Sequence, residues 1–345
     1  MKKLLSLFII SFLLVNVSFG QDKETPYLVK TYQSSEIKNL NVRTSGGGIS
    51  VTGQAGNEAR VEVYVRSNNG SGTLSKSELE DRLKDYELSV KKDGETIYCV
   101  AKRKGDGNWS DWKRGLSISF KIYTPEKLST DLQTSGGGIN LKNLTGNLGF
   151  TTSGGGLKLS NLGGNIKGRT SGGGIDIVGC RDMIDVVTSG GGIDASECKG
   201  DIRLSTSGGG LRLKALNGMI KATTSGGGVR AEDIRGELIT STSGGSIHLE
   251  DIMASVKAST SGGGINADIK SFGKYLSLST SAGSINVTMP LDKGLDLDLD
   301  GNRVSVPEIK NFSGRIEKDR VKGSINGGGI PVTMDANSGG IHINR

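Results

Sequence analysis

The chain has 345 residues, of which 55 are glycine and 5 proline; 34% are hydrophobic, 5% aromatic, and the formal net charge is +7. Glycine at about 16% is more than twice its usual ~7%, yet no Gly-X-Y period occurs, so collagen is excluded, and few apolar side chains are left for one large globular core. Regularly spaced β-branched residues exclude simple disorder, and a mild basic excess on an exported chain argues against nucleic acid as a partner.

Residues 1–20 read as a secretory signal peptide. Lys2 and Lys3 precede an apolar run from Leu4 to Val15, and Ser18-Phe19-Gly20 offers a small-residue cleavage site. The run is too short to cross a bilayer, and no later apolar stretch reaches eighteen residues, so no transmembrane segment is expected in the mature chain. Export then ends in the periplasm, on the outer surface or in the medium.

Residues 21–130 form an N-terminal coil and a capping β region. One early coil runs from Thr44 to Gly53, and Val61, Val63 and Val65 then alternate with Glu62, Tyr64 and Arg66. Ser75 and Glu78 make a capping box, and Leu79, Leu83 and Tyr86 share one face, which predicts a single short helix near 75–86 with Glu78–Arg82 and Glu80–Lys84 ion pairs. Further strands are predicted near 87–90, 96–101 and 116–123. The polar loop before the last of these holds both tryptophans, so Trp109, Trp112, Lys113 and Arg114 are a candidate partner-binding loop. Tryptophan with arginine anchors recognition surfaces and sugar contacts, although capping of the solenoid end or packing beneath the hairpin accounts for these residues more simply.

Residues 131–290 are a regular repeat. Thr-Ser-Gly-Gly-Gly recurs every 18 residues from Thr134 to Thr260, with variants at Thr242 and, after a 20-residue step, Thr280. With the threonine as position 0, positions 5, 7 and 14 are apolar (Ile193, Ala195 and Ile202 in one repeat), while position 6 is polar (Asp194). Alternation of this kind marks a strand with one buried face. Glycine at position 12 suggests a tight turn, and the triple glycine a second corner where successive coils approach closely. One repeat is therefore one coil, and stacked coils share a narrow core. The fold class is all-β: a parallel β-solenoid (β-helix) of ~18-residue coils, with an N-terminal β-rich cap carrying one short helix. The threonines and serines are expected to stack as hydrogen-bonding ladders. Cys180 and Cys198 both fall at position 10, in an otherwise apolar column, so they should be buried and stacked, structural whether bonded or free. Residues 291–345 lose the period; Gly327-Gly328-Gly329-Ile330 and Ser338-Gly339-Gly340-Ile341 look like one or two final shortened coils in an irregular C-terminal cap.

The Thr-Ser-Gly-Gly-Gly-Ile coils, the Val61–Val65 strand and Leu116-Ser117-Ile118-Ser119-Phe120 resemble the secreted bacterial "putative adhesin" family, related to toastrack-type β-solenoids and auto-transporter adhesin heads. That resemblance implies the fold and an envelope-associated role, and it transfers no catalytic residues.

Only His248 and His342 could serve as histidine bases, and neither has a nucleophile or carboxylate at recognisable spacing. CxxC and HExxH spacings are absent, and aspartate follows the glycines only at Asp176 and Asp194, unlike a calcium-binding β-roll. No cofactor or metal is expected, and no enzyme activity. The reading is a non-enzymatic exported solenoid presenting a surface to a protein or glycan at the cell surface or in the periplasm. An envelope-stress signalling ectodomain working with a membrane or anti-sigma partner is the first alternative, and a polysaccharide-acting β-helix enzyme the second.

Overall fold

The computed structural model describes residues 25–68, 74–105 and 114–345. The expected leader lies outside them. From Thr134 each repeat is one coil of two strands, such as Ile139–Lys142 with Thr145–Thr152, followed by Leu157–Ser160 with Gly163–Thr170. Pairing is parallel and offset by one repeat: Leu157 faces Ile139 and Ile175, and Ile166 faces Leu148 and Ile184. The chain is a parallel β-solenoid.

Positions 5, 7, 10 and 14 point inward; Ile193, Cys198 and Ile202 are at most 1% exposed. Position 16 adds another buried column, through Phe150, Val186, Leu204 and Ala222. Gly168 stands in that column beside Phe150, whose ring fills the space a Gly168 side chain would need. Large against small keeps the narrow core filled.

The threonines do not stack hydroxyl on hydroxyl. Each is buried and bonds instead to glycine backbone: Thr152 Oγ1 donates to the Gly137 carbonyl of the preceding coil at 2.7 Å and accepts from the Gly155 N–H of its own coil at 3.3 Å. Nine such donations link ten coils, from Thr134 to Gly47 through Thr280 to Gly263. The coils come so close here that a Cβ on the middle glycine, Gly155 for example, would sit on the Gly137 carbonyl. Its two neighbours are less constrained, since Ala282 occupies the first glycine column and Ser246 and Ser284 the third.

The tight turn falls at position 9 rather than at the position-12 glycine. Asn143, Asn161, Gly179, Glu197, Ala215, Asp233 and Asp251 all have φ between 50° and 66°. The position-12 glycine lies inside the longer strand, where a Gly164 side chain would meet Gly146 of the coil below. Asp182 takes that place in one coil, at φ 77°, and its carboxylate accepts the Gly164 N–H at 2.8 Å.

Both ends depart from simple stacking. Asn39–Thr44 and Ile49–Gly53 pair with the Thr134 coil on one side and with Thr96–Arg103 and Leu116–Thr124 on the other. The early coil is thus an interior layer, and the segment that follows it closes the end. Antiparallel strands Tyr86–Asp93, Glu58–Ser67 and Leu28–Gln33 complete that cap. The helix spans Lys76–Leu83, shorter than predicted because Tyr86 already begins a strand. Lys84 pairs with Asp81 rather than Glu80, at 3.2 Å. At the other end the two Gly-Gly-Ile segments do not make two terminal coils. Ile330–Asn344 is one strand inserted between the Thr280 coil and Leu295–Ser305, with Gly327–Gly329 forming the turn into it. The hairpin Phe312–Ile316 and Arg320–Ile325 lies outermost. Among the described residues no helix is long and apolar enough to cross a membrane.

The corner sorts its glycines sharply. Gly191→Ala should cost about 3 kcal/mol or more, because backbone must move, whereas the adjacent Gly190→Ala should cost under ~1 kcal/mol. Thr188→Val should cost about 1–3 kcal/mol by leaving the Gly173 carbonyl and Gly191 N–H unpaired. Denaturant melts that rank the two glycine variants equally would contradict this packing.

Candidate functional site

Strand register builds one continuous outer row from position 6. Glu62 faces Lys121, Lys121 faces Ser50, and Ser50 faces Asn140. The row continues through Lys158, Asp176, Asp194, Arg212, Arg230 and His248. Two residues earlier runs the third glycine column, Gly48, Gly138, Gly156 and Gly174, then Gly192, Gly210, Gly228 and Ser246. Because these glycines carry no side chain, a trough opens beside the row. Its cap end is a cavity of about 1010 Å³ and its continuation one of about 440 Å³, each floored by four residues of that column. Seven steps of ~4.8 Å give a floor about 34 Å long.

The cap end is the chemically dense part. Glu62, only 9% exposed, is held by Arg60 Nε at 3.0 Å and by the Tyr64 hydroxyl, which donates to it at 2.8 Å. Burial and that bond push the Tyr64 phenol up, so it stays protonated at neutral pH. The Arg60 guanidinium lies 4.8 Å from the Tyr123 ring centre, and Lys121 Nζ lies 5.5 Å from it. A hydrogen bond to Tyr123 pushes the Lys121 ammonium up and keeps it charged. The result is a rigid surface of two tyrosines and several cations, with its one buried carboxylate already engaged.

Hydrolytic chemistry fits this surface poorly. Glu62 and Asp176 are five rungs apart, about 24 Å, against the ~5–9.5 Å that separates glycosidase carboxylates. Asp176 and Asp194 are neighbouring rungs, but both are exposed and Asp194 pairs with Arg212 at 3.4 Å. No group of three or more metal-ligating side chains occurs among the described residues.

Of the residues singled out in the tryptophan loop, Trp109, Trp112 and Lys113 lie outside the described residues. Arg114 is exposed, away from the trough, and binds Asp81 of the helix at 2.9 Å. Cys180 and Cys198 are stacked, buried, free thiols that bond to Val178 O at 3.6 Å and Ser196 O at 3.1 Å. The adjoining Cys198 sulfur, together with burial, pushes the Cys180 thiol up. Sequence patterning identified the outward faces of Glu58–Ser67 and Leu116–Thr124 but could not place them side by side. Their pairing spans an insertion of about fifty residues, and no local signal encodes it.

The coil geometry places the chain in the class of β-solenoids. Within that class, residues 181–344 match the Toastrack DUF4097 family. One similar solved structure is a putative cell adhesion protein from Clostridium sporogenes ATCC 15579, at 12% identity over 92% of this chain and 99% of that one, with a TM-score of 0.21. Another is a putative adhesin from Bacteroides fragilis NCTC 9343, at 10% identity over 92% of this chain and 96% of that one, with a TM-score of 0.27. Likeness of that degree assigns no binding partner to this chain. No curated protein matches it.

The third cysteine gives a pH test. Burial pushes Cys99 up to about 12 from an ordinary 9.0. A raised thiol pKa stabilises the fold fully below pH 9, and that contribution is lost between pH 9 and 12 as the unfolded chain ionises first. Stability from denaturant melts should fall there by on the order of 1 kcal/mol per pH unit. A flat profile from pH 9 to 11 would contradict the buried placement of Cys99.

Proposed function

We propose that the chain is an exported, non-enzymatic rod that binds a macromolecule of the cell envelope through its trough face. The observation that carries this reading is the trough itself: a floor about 34 Å long, set on paired strands, with aromatic and cationic side chains gathered at one end. Rigid rods suit multivalent contact with extended partners, because many weak contacts add without further ordering cost. The leading residues 1–20 support export. Nothing in the trough pairs a nucleophile with a base, which favours binding over turnover.

Purified protein incubated with isolated envelope fractions should bind saturably, and less at high salt. Replacing Arg60 and Lys121 together by alanine should lower that binding about tenfold or more, and also lower the melting temperature as Glu62 loses its Arg60 partner, so binding is measured where melts show the variant folded. Release of soluble sugar fragments by the wild-type protein would contradict the non-enzymatic reading, and binding indifferent to the double substitution would contradict the face.

A further inference from the structure

The floor of the trough carries an unspent set of hydrogen-bond donors. In each coil the N–H of the third glycine aims at the same position one coil nearer the cap. At the two ends of the stack a serine stands there and its hydroxyl accepts: Gly48 N–H donates to Ser119 Oγ at 3.1 Å, and Gly340 N–H to Ser284 Oγ at 3.2 Å, whereas Ser246 takes no such bond from Gly264. From Gly156 to Gly228 the position below is glycine. The N–H groups of Gly156, Gly174, Gly192, Gly210 and Gly228 have no acceptor among the described residues. The two serines show what completes the pattern, which is an oxygen acceptor seated on the glycine.

Glycine is not demanded there by the fold. Ser246 and Ser284 occupy the same column, and a Cβ on Gly174 would stand 3.4 Å from the Gly192 carbonyl, a contact the chain can absorb. The open floor is therefore a property of the surface, unlike the middle-glycine column beside it. Charge points the same way. Lys158 faces the trough with no ion pair among the described residues, and Lys121 lies beside Glu62, a carboxylate that Arg60 and Tyr64 already hold.

We infer that the trough binds a linear acidic polysaccharide lying along the rod, an inference that rests on the macromolecule-binding reading above. Its carboxylate and hydroxyl oxygens accept from the glycine N–H row, one donor per rung of ~4.8 Å, and about seven sugar units fill the floor. Lys121 and Lys158 pair with its carboxylates, while Tyr64 offers its ring to the sugars at the cap end. A peptide fits less well. It would bring its own N–H donors to a floor that presents donors alone, and the strands beneath have no free edge for it to extend.

The test is calorimetric titration with an oligogalacturonate of about eight units, alongside a neutral cello-oligosaccharide of equal length and poly-glutamate. The acidic oligosaccharide should bind saturably and clearly better than either control. Gly174→Ser fills the floor and offers a hydroxyl to the Gly192 N–H. It should weaken binding at least about tenfold while leaving the melting temperature unchanged or higher. Lys158→Ala, which the fold does not need, should weaken binding roughly fivefold and flatten its salt dependence. Absence of oligogalacturonate binding, or binding untouched by both substitutions, overturns the proposal. Equal binding of the neutral sugar removes the acidic requirement and overturns it too, and equal binding of poly-glutamate reassigns the trough to acidic peptides. In each of those cases envelope binding lost on Arg60 and Lys121 substitution would leave the rod reading standing, so the two failures are distinguishable.

Discussion

Everything in this solenoid depends on the contact between a buried threonine hydroxyl and the middle glycine of the coil before it. That contact fixes the distance between coils at the corner, since any side chain on the glycine would overlap backbone. It also removes two polar groups from the list that burial would otherwise leave unsatisfied. Each middle glycine accepts at its carbonyl from the threonine of the following coil and, in most coils, donates its N–H to the threonine of its own coil, so the bonds run head to tail along the rod. Aligned amide and hydroxyl dipoles polarise one another, which makes the chain of bonds stronger than its members taken singly. Serine in place of threonine would retain the hydroxyl but lose the methyl group that fills the corner. Valine would do the reverse.

A rod built of identical layers has two exposed ends, and each is a template for association with another chain. This chain solves both ends by the same device. The terminal coil on each side lies one layer inside, and a neighbouring segment overshoots to pair on its outer edge. Antiparallel strands then replace the parallel ladder, ending the repeat pattern that another copy could continue. The cost is long-range pairing at both ends, such as Leu40 with Thr130 and Leu295 with Ile330, which slows closure relative to the local stacking of the repeats.

The repeat region was largely legible in the sequence because an 18-residue period writes the same inward and outward pattern many times over. Positions 5, 7, 10 and 14 declared themselves as columns. Position 16 did not, because Phe150, Gly168, Ala222 and Thr240 share no chemistry, only complementary volume. The turn was misplaced for a related reason: the left-handed residues at position 9 are Asn, Gly, Glu, Ala and Asp, so no single residue type marks them. The trough was hidden more deeply. All three glycines of each triplet look alike in sequence, yet one is imposed by backbone contact, one shapes the corner, and one leaves a donor facing solvent. Only the occasional Ala282, Ser246 and Ser284 hint at that division, and their meaning is evident only once the register is known.

That division of labour among three adjacent glycines is the central claim, and amide hydrogen exchange measured residue by residue tests it directly. In the triplet Gly172-Gly173-Gly174, the first N–H donates to Ser153 O at 2.9 Å and the second to Thr170 Oγ1 at 3.3 Å. The third has no acceptor. Gly172 and Gly173 should therefore exchange slowly and Gly174 fast, with the same two-slow, one-fast pattern in the neighbouring coils. Uniform protection across the triplet, or a protected third glycine beside an open second, would contradict the account of both the corner and the trough.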